Sequence, residues 1–384
     1  MTITLTPKTS SQGKAPVAKI EMVMQVLDDE SQVEFDVVDC WRNLTDNPMG
    51  GPDWLLPWWK HYGTQHDQLQ LVLFFENSKL VSIAPLYLEN GKNLKLLGSG
   101  KVCSDHSELL VGSHHHVMRA QAMLLNWLMQ DQSPNWQSLQ LQAINPASLT
   151  TEIADQWQNQ ISVWREPGEP VCMISLPNSW EEYVQSLSKN HRKRVRRWTR
   201  QHLESEQVEV RSTDSGWDYD EAYDCLVHLH NLRRATMPEK GAFEEESFMD
   251  FHKEAFGRLA DNGLAVITGI FSENQPVAIE YELCNQDRVF AYQSGADLSG
   301  SLSSPGSVSI LARIKTALAR GKKVYDLMRG DEEYKYHWNA QCERTVNFMI
   351  WPQNWRGTLA ANQFHAKRKL KSCVKSMVKK FCSK

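Results

Sequence analysis

The sequence predicts an α/β protein made of two similar domains, and two observations carry that expectation. The first is length, since 384 residues exceed one ordinary core and fit about two domains of typical size. The second is an order of elements that occurs twice. In the first half, residues 71–88 read as two strands joined by a turn around an Asn, with a third strand at 94–97, a helix at 117–128 and a strand at 139–143. In the second half the same series falls at 267–283, 289–292, 308–320 and 324–328. Both hairpin turns contain Glu-Asn, although chance can also align two mixed α/β segments. Two similar domains leave a cleft between them, where ligands preferentially bind.

The elements divide the chain into a disordered lead over 1–20, a first domain over 21–168, a second over 169–355 and a tail over 356–384. The second boundary precedes a strand that runs from Pro170 into a helix start at Asn178 or Ser179, with Glu181 and Glu182 in its first turn. The following helix carries Lys189, Arg192, Lys193, Arg194, Arg196, Arg197 and Arg200 around its circumference. It is either a solvated basic helix or one that packs on one face and meets phosphate or acidic groups on the others. The tail from Lys367 to Lys384 has eight Lys/Arg and no acid, with Leu370, Val374, Met377, Val378 and Phe381 at helical spacing. That pattern fits a helix lying on an anionic membrane leaflet, or equally a frayed terminus or a helix packed on its own domain.

Composition narrows the functional classes. Hydrophobic residues make up 41% and charged residues 23%, as in a globular protein, and a net charge of −4 argues against a surface that binds DNA throughout. The eight cysteines are scattered without a C-x-x-C pair, so they read as reduced thiols of a cytoplasmic protein. No stretch of about 18 apolar residues and no leader sequence is present, so secretion and membrane spanning are disfavoured. His114, His115 and His116 are adjacent, and adjacent side chains do not converge on one metal, so a solvated loop is expected there and no metal site.

The richest segment runs from 289 to 338. A strand is followed by Ser304-Pro305-Gly306 directly before a helix, which is the layout of a phosphate cradle. Ser304 suits the N-cap, Pro305 suits the first turn, and Gly306 and Ser307 keep the backbone N–H groups approachable at the positive end of the helix dipole. A buried strand then ends at Arg329-Gly330, beside the same cradle.

The S-P-G-x-V helix start, the run Tyr325-Asp-Leu-Met-Arg-Gly-Asp-Glu-Glu-Tyr-Lys-Tyr-His-Trp338, the segment Leu176-Pro-Asn-Ser-Trp-Glu-Glu-Tyr183 and Ser104-Asp-His-Ser-Glu-Leu-Leu110 together resemble the CelD/BcsL-type branch of the GNAT superfamily, acetyltransferases named for cellulose and exopolysaccharide synthesis. The resemblance covers roughly residues 40–355. It implies tandem GNAT domains, each a mixed central sheet flanked by helices, arranged as in the Fem-type peptidoglycan aminoacyl transferases, with acetyl-CoA or another acyl-CoA as donor. The usual pyrophosphate loop of the superfamily is [QR]-x-x-G-x-[GA], and Ser303-Ser-Pro-Gly-Ser-Val308 keeps only its central glycine. In the first half, Val111-Gly-Ser-His-His-His116 has the glycine too early, so donor binding is expected to be lost there. The resemblance also places Gln293, Ser294 and Gly295 beside the donor, where backbone N–H groups polarise the thioester.

Acyl transfer needs the acceptor amine or hydroxyl near the carbonyl, a base for its proton and donors for the oxyanion. Two carboxylates are candidate bases. Asp326 either serves as base or orients the acceptor, or is a structural carboxylate paired to Arg329 or Lys335. Glu280 interrupts an apolar strand, so it is either buried with a raised pKa or a solvent-facing strand residue. Tyr334 and Trp338 share a helical face for packing or ligand contact, and Lys335 is either a phosphate or acceptor ligand or a surface lysine. Asp105 is a candidate for holding a sugar hydroxyl or amine in the cleft. Arg233 and Arg234 suit an acidic acceptor group, with residues 237–241 as a mobile cover.

The expectation is therefore a cytoplasmic acyl-CoA-dependent N- or O-acyltransferase acting on a glycan, amino sugar or lipid-linked acceptor, with peripheral contact at the inner membrane face through its tail. Two rivals are an aminoacyl-tRNA-dependent transferase of the Fem type, with the 189–200 helix on tRNA, and a non-catalytic subunit of a polysaccharide complex.

Overall fold

Both hairpins turn through two consecutive residues of positive φ, Asn77 (+50°) and Ser78 (+64°) in the first half and Glu273 (+52°) and Asn274 (+62°) in the second. That pairing belongs to type I′ turns, whose twist matches the flanking antiparallel strands. The turns are equivalent in space, and the Glu-Asn dipeptides within them are offset by one residue.

The computed structural model describes residues 2–4, 21–100, 102–130, 133–204, 208–235, 241–300 and 302–382, with side chains described from 21 to 370. Only 2–4 of the expected disordered lead fall within that range, and the expected cover over 237–240 lies outside it. The first half contains β1 (Thr2–Thr4), β2 (Met22–Leu27), α1 (Phe35–Arg42), α2 (Pro52–Tyr62), β3 (Gln68–Glu76), β4 (Lys79–Glu89), β5 (Asn93–Leu96), β6 (Val111–Gly112), α3 (His114–Leu128), β7 (Ser138–Ile144) and α4 (Leu149–Trp157). β8 (Ser162–Ser175), α5 (Trp180–Ser186) and α6 (Lys189–Trp198) lead into the second half. There β9 (Val208–Ser212), α7 (Tyr219–Arg234), α8 (Glu246–Asp261), β10 (Ala265–Ser272), β11 (Gln275–Cys284), β12 (Arg288–Ala296), α9 (Pro305–Ala319), β13 (Val324–Arg329), α10 (Glu333–His337), β14 (Gln341–Trp351) and α11 (Trp355–Cys382) follow.

The strands join in one 14-stranded sheet ordered β1-β2-β3-β4-β5-β7-β14-β8-β13-β12-β11-β10-β9, with β6 on β4. The halves repeat each other closely. In each, an antiparallel run ends in a parallel pair that holds for three residue pairs and then parts: Asn93↔Ser138 to Lys95↔Gln140 in β5/β7, and Arg288↔Val324 to Phe290↔Asp326 in β12/β13. In each, the strand after the helix carries a positive φ near its end, at Ala143 (+54°) and Met328 (+58°).

The last strand of each half crosses to the other. β8 leaves the first half to pair with β13, and β14 returns from the second to pair with β7, while β8 and β14 pair with each other from Gln341↔Met173 to Trp351↔Ser162. Residue 168, the expected boundary, therefore sits inside a continuous strand. Gly168 is required there, because a Cβ would stand 2.4 Å from Thr345 Oγ1 on the neighbouring β14. Cys172 and Cys342 face each other across this pairing and form a disulfide, which corrects the expectation that all the thiols are reduced.

Apolar burial follows the same plan. One cluster lies under α3 and α4, one lies under α5, α6 and α9, and a third is shared between α2 of the first half and α7 and α8 of the second. Trp54 anchors the shared cluster, its ring 4.9 Å from Phe251 and 5.1 Å from Tyr292 across the domain junction. Edge-to-face contacts of this kind hold the halves as one body. No helix among the described residues is long and apolar enough to cross a membrane.

Candidate active site

Where β12 and β13 part, β12 continues through Gln293, Ser294 and Gly295 toward the start of α9. Ser304 precedes that helix in the left-handed region (φ +61°) and makes no side-chain capping bond, so it sets the turn without acting as the expected cap. Its carbonyl receives the N–H groups of Ser307 and Val308. Pro305 has no N–H, so among these first residues the Gly306 N–H is the donor left for an anion, and open space lies where a Cβ on Gly306 would project. Gly295 has a different reason to be glycine. A Cβ there would stand 2.4 Å from the backbone nitrogen of His230, because α7 lies directly on β12.

Glu280 stands opposite Ser294 in the β11/β12 register and is 6% exposed, so the solvent-facing alternative is removed. Burial pushes its carboxyl up to about 7, with Ser309, Arg233 and Arg313 pulling the other way. Arg233 Nη1 donates to Ser294 Oγ at 3.1 Å. Burial, and then the Glu280 charge, raises the Tyr334 phenol to about 12. Glu280, Ser294 and Arg233, expected from scattered stretches of sequence, thus meet on the face of the sheet covered by α9, with the Tyr334 phenol near enough to feel the Glu280 charge. Deeper on this face, the Arg313 guanidinium bonds Glu282 and Thr268 Oγ1, and Tyr325 donates to Glu282 at 2.7 Å. Sequence reasoning missed Ser309 and Arg313, whose signal was two polar residues on the buried stripe of an apolar helix.

The other expected residues go elsewhere. Asp326 is fully buried and faces away from α9, where Oδ2 lies 2.8 Å from His106 Nε2 and 3.5 Å from Arg288, and Oδ1 accepts from the Met328 N–H at 2.8 Å. Its partners are therefore His106 and Arg288, not Arg329 or Lys335. Asp105, also fully buried, holds Arg329 through Nε (2.8 Å), Nη2 (2.5 Å) and the backbone N–H (3.1 Å). Desolvation pushes its carboxyl up and Arg329 opposes the shift. The Lys335 ammonium, 2% exposed, donates to the carbonyls of Met328, Arg329 and Gly330 and pairs with Glu332, so it closes the end of β13 and is no surface lysine. Trp338 packs against His191 and Trp198, whereas Tyr334 is 42% exposed, so the two do not share one face.

The three adjacent histidines open α3 and do not form a loop. His116 meets Ser113 and Glu76, His114 meets Glu152, and the His115 ring lies beside that of His116. On α6, His191, Val195 and Trp198 face inward while Lys193, Arg194, Arg196 and Arg197 are exposed, so this helix packs on one face and presents its cations on the others.

Residues 189–336 match the acetyltransferase (GNAT) domain family. That similarity falls within the second half of the chain. The match includes the α9 cradle, Glu280, Ser294, Arg233 and Tyr334. No curated protein sequence matches the chain. Among solved structures, FemX is similar with a TM-score of 0.60 at 8% identity, over 80% of this chain and 92% of that chain. A conserved protein of unknown function from Bacteroides thetaiotaomicron is similar with a TM-score of 0.50 at 11% identity, over 86% of this chain and 100% of that chain. These likenesses show a fold shared over both halves of the chain, in agreement with the repeated parallel gap and hairpin turns.

Proposed function

We propose that this protein is an acyltransferase that moves an acetyl or other acyl group from acyl-CoA to an amine or hydroxyl of a polar, sugar-related acceptor in surface-polysaccharide synthesis. The observation that carries the reading is the parted β12/β13 pair beside the open first turn of α9, with a near-neutral carboxyl opposite Ser294. On this reading the donor's phosphates sit at Ser304–Ser307 and its acyl arm runs into the gap. Backbone N–H groups of β12 that have lost their β13 partners polarise the thioester carbonyl. Glu280 takes the proton from the acceptor nitrogen or oxygen as the new bond to the acyl carbon forms. The carbon–sulfur bond breaks, and the thiolate leaves with its electron pair to be protonated by solvent. Arg233 and Tyr334 orient the acceptor at the mouth. The likeness to the CelD/BcsL branch supports the glycan acceptor.

The test is calorimetric titration of acetyl-CoA and CoA into the protein and into Gly306→Trp. Micromolar binding lost in the variant supports the donor site, and absence of binding to the wild type refutes it. A screen of amino-sugar acceptors with wild type and Glu280→Gln then assigns the base.

A second reading, an aminoacyl-tRNA-dependent transferase, draws support from the fold shared with FemX and from the exposed cations of α6. Salt-sensitive tRNA binding lost in Lys193→Glu/Arg197→Glu favours it. On either reading we propose that α11 rests on an anionic leaflet. Flotation with anionic against neutral vesicles tests that contact.

A further inference from the structure

A second cavity, of about 580 Å³, lies between the halves where β5 and β7 part. Its volume falls in the range of small-molecule sites. Leu96, Leu97, Pro85 and Phe290 give it apolar walls, and His106 brings a ring into the lining. That ring is fixed from two sides. The backbone at His106 is left-handed (φ +58°), with its carbonyl held by Asn47 Nδ2 at 3.0 Å. The ring nitrogen Nε2 meets Asp326, contributed by the other half, at 2.8 Å.

A carboxylate only accepts, so the contact with Asp326 puts a proton on Nε2, and the neutral form of the ring then has its lone pair at Nδ1. Among the described residues Nδ1 has no hydrogen-bond partner. Acids outnumber bases around it. Asp46, Glu108 and Asp287 line the cavity, while Lys323 pairs with Asp287 at 2.9 Å and Arg288 leans on Asp326 at 3.5 Å. The cavity is distinct from the proposed donor site. Phe290 and Asp326 face away from α9, and Phe290 and Ser294 stand four steps apart along β12, about 13 Å of strand.

We propose that this cavity is a second ligand site, for a small molecule that presents a primary amine or a hydroxyl to His106 from an apolar body. The site reads a hydrogen-bond donor and rejects a carboxylate. The pairing of Met328 N–H with Asp326 Oδ1 gives the idea a sharp consequence. In Asp326→Asn the amide oxygen stays with Met328, so the amide NH₂ faces His106 Nε2 and drives the ring proton to Nδ1. The lining group becomes a donor, and the ligand preference reverses.

The probes are hexylamine, hexanol and hexanoate, titrated at pH 8 into the full chain labelled with ¹⁵N-histidine and followed at the His106 ring nitrogens. The expected result is saturable binding of amine and alcohol, about tenfold tighter than hexanoate, as one hydrogen bond is worth. His106→Ala should lose that difference, and Asp326→Asn should bind hexanoate best. Equal binding of the three probes, or an unchanged order in Asp326→Asn, overturns the proposal. Should His106→Ala fail to fold, Leu97→Trp, which fills the cavity from its apolar wall, must abolish binding of all three, and retained binding likewise overturns it.

Discussion

Replacing Glu280 with glutamine should change how the stability of the protein depends on pH, and the size of the change follows from the site. The carboxyl is raised from 4.5 to about 7, chiefly by burial. Between those values the folded chain keeps a proton that the unfolded chain has released, so stability is full below pH 4.5 and falls as pH rises toward 7. The slope is about 1.4 kcal/mol per pH unit and the total about 3 kcal/mol. Glutamine fills the same space and does not titrate. Urea unfolding of wild type and Glu280→Gln at pH 5 and pH 8 therefore should show the variant gaining about 2–3 kcal/mol relative to wild type across that interval. If the two proteins keep a constant difference at both pH values, Glu280 titrates normally and its role as a near-neutral base falls with it. If the role holds, transfer activity rises along a limb centred near pH 7 that is missing in the variant.

Asp105→Ala leaves the Arg329 guanidinium without its carboxylate and should cost about 3–5 kcal/mol in a denaturation series, far more than a surface pair would. Gly295→Ala drives a methyl into the backbone of α7 and should destabilise by about 1–3 kcal/mol, whereas Gly306→Ala meets open space and should leave the melting midpoint nearly unchanged. A peptide map without reductant should recover Cys172 and Cys342 cross-linked. Reduction should then lower stability, by at most about 5 kcal/mol from chain entropy, given a sequence separation of 170 residues.

The repeated β-β-β-α-β order was legible because it rests on local signals, β-branched runs and turns, that survive without knowledge of the partner strand. The α9 start and β13 were legible for the same reason. β14 and the first part of β8 were not, because Arg165-Glu166-Pro167-Gly168 has the composition of a turn, and it is strand here through its pairing with β14. Site residues divide similarly. Glu280 stood out as a charge in an apolar strand, and its burial was the physical consequence. Asp326 gave the same signal but meets His106, 220 residues away in sequence, and no spacing rule links them. Lys335 read as either a ligand or a surface lysine because its motif is polar. Its ammonium is taken by three carbonyls that become neighbours only when β13 ends.

The crossing of β8 and β14 also bears on how the protein is made. β7 is synthesised by residue 144, yet its neighbour β14 begins at Gln341, so the first half must wait on the ribosome with one sheet edge unpaired for nearly two hundred residues. Neither half can mature before the other is complete, and a fragment cut between them would expose two strand edges at once. Nascent chains of this protein should therefore depend on chaperones that shield open edges, and its two halves should prove inseparable in gene fusions that rearrange other tandem proteins freely.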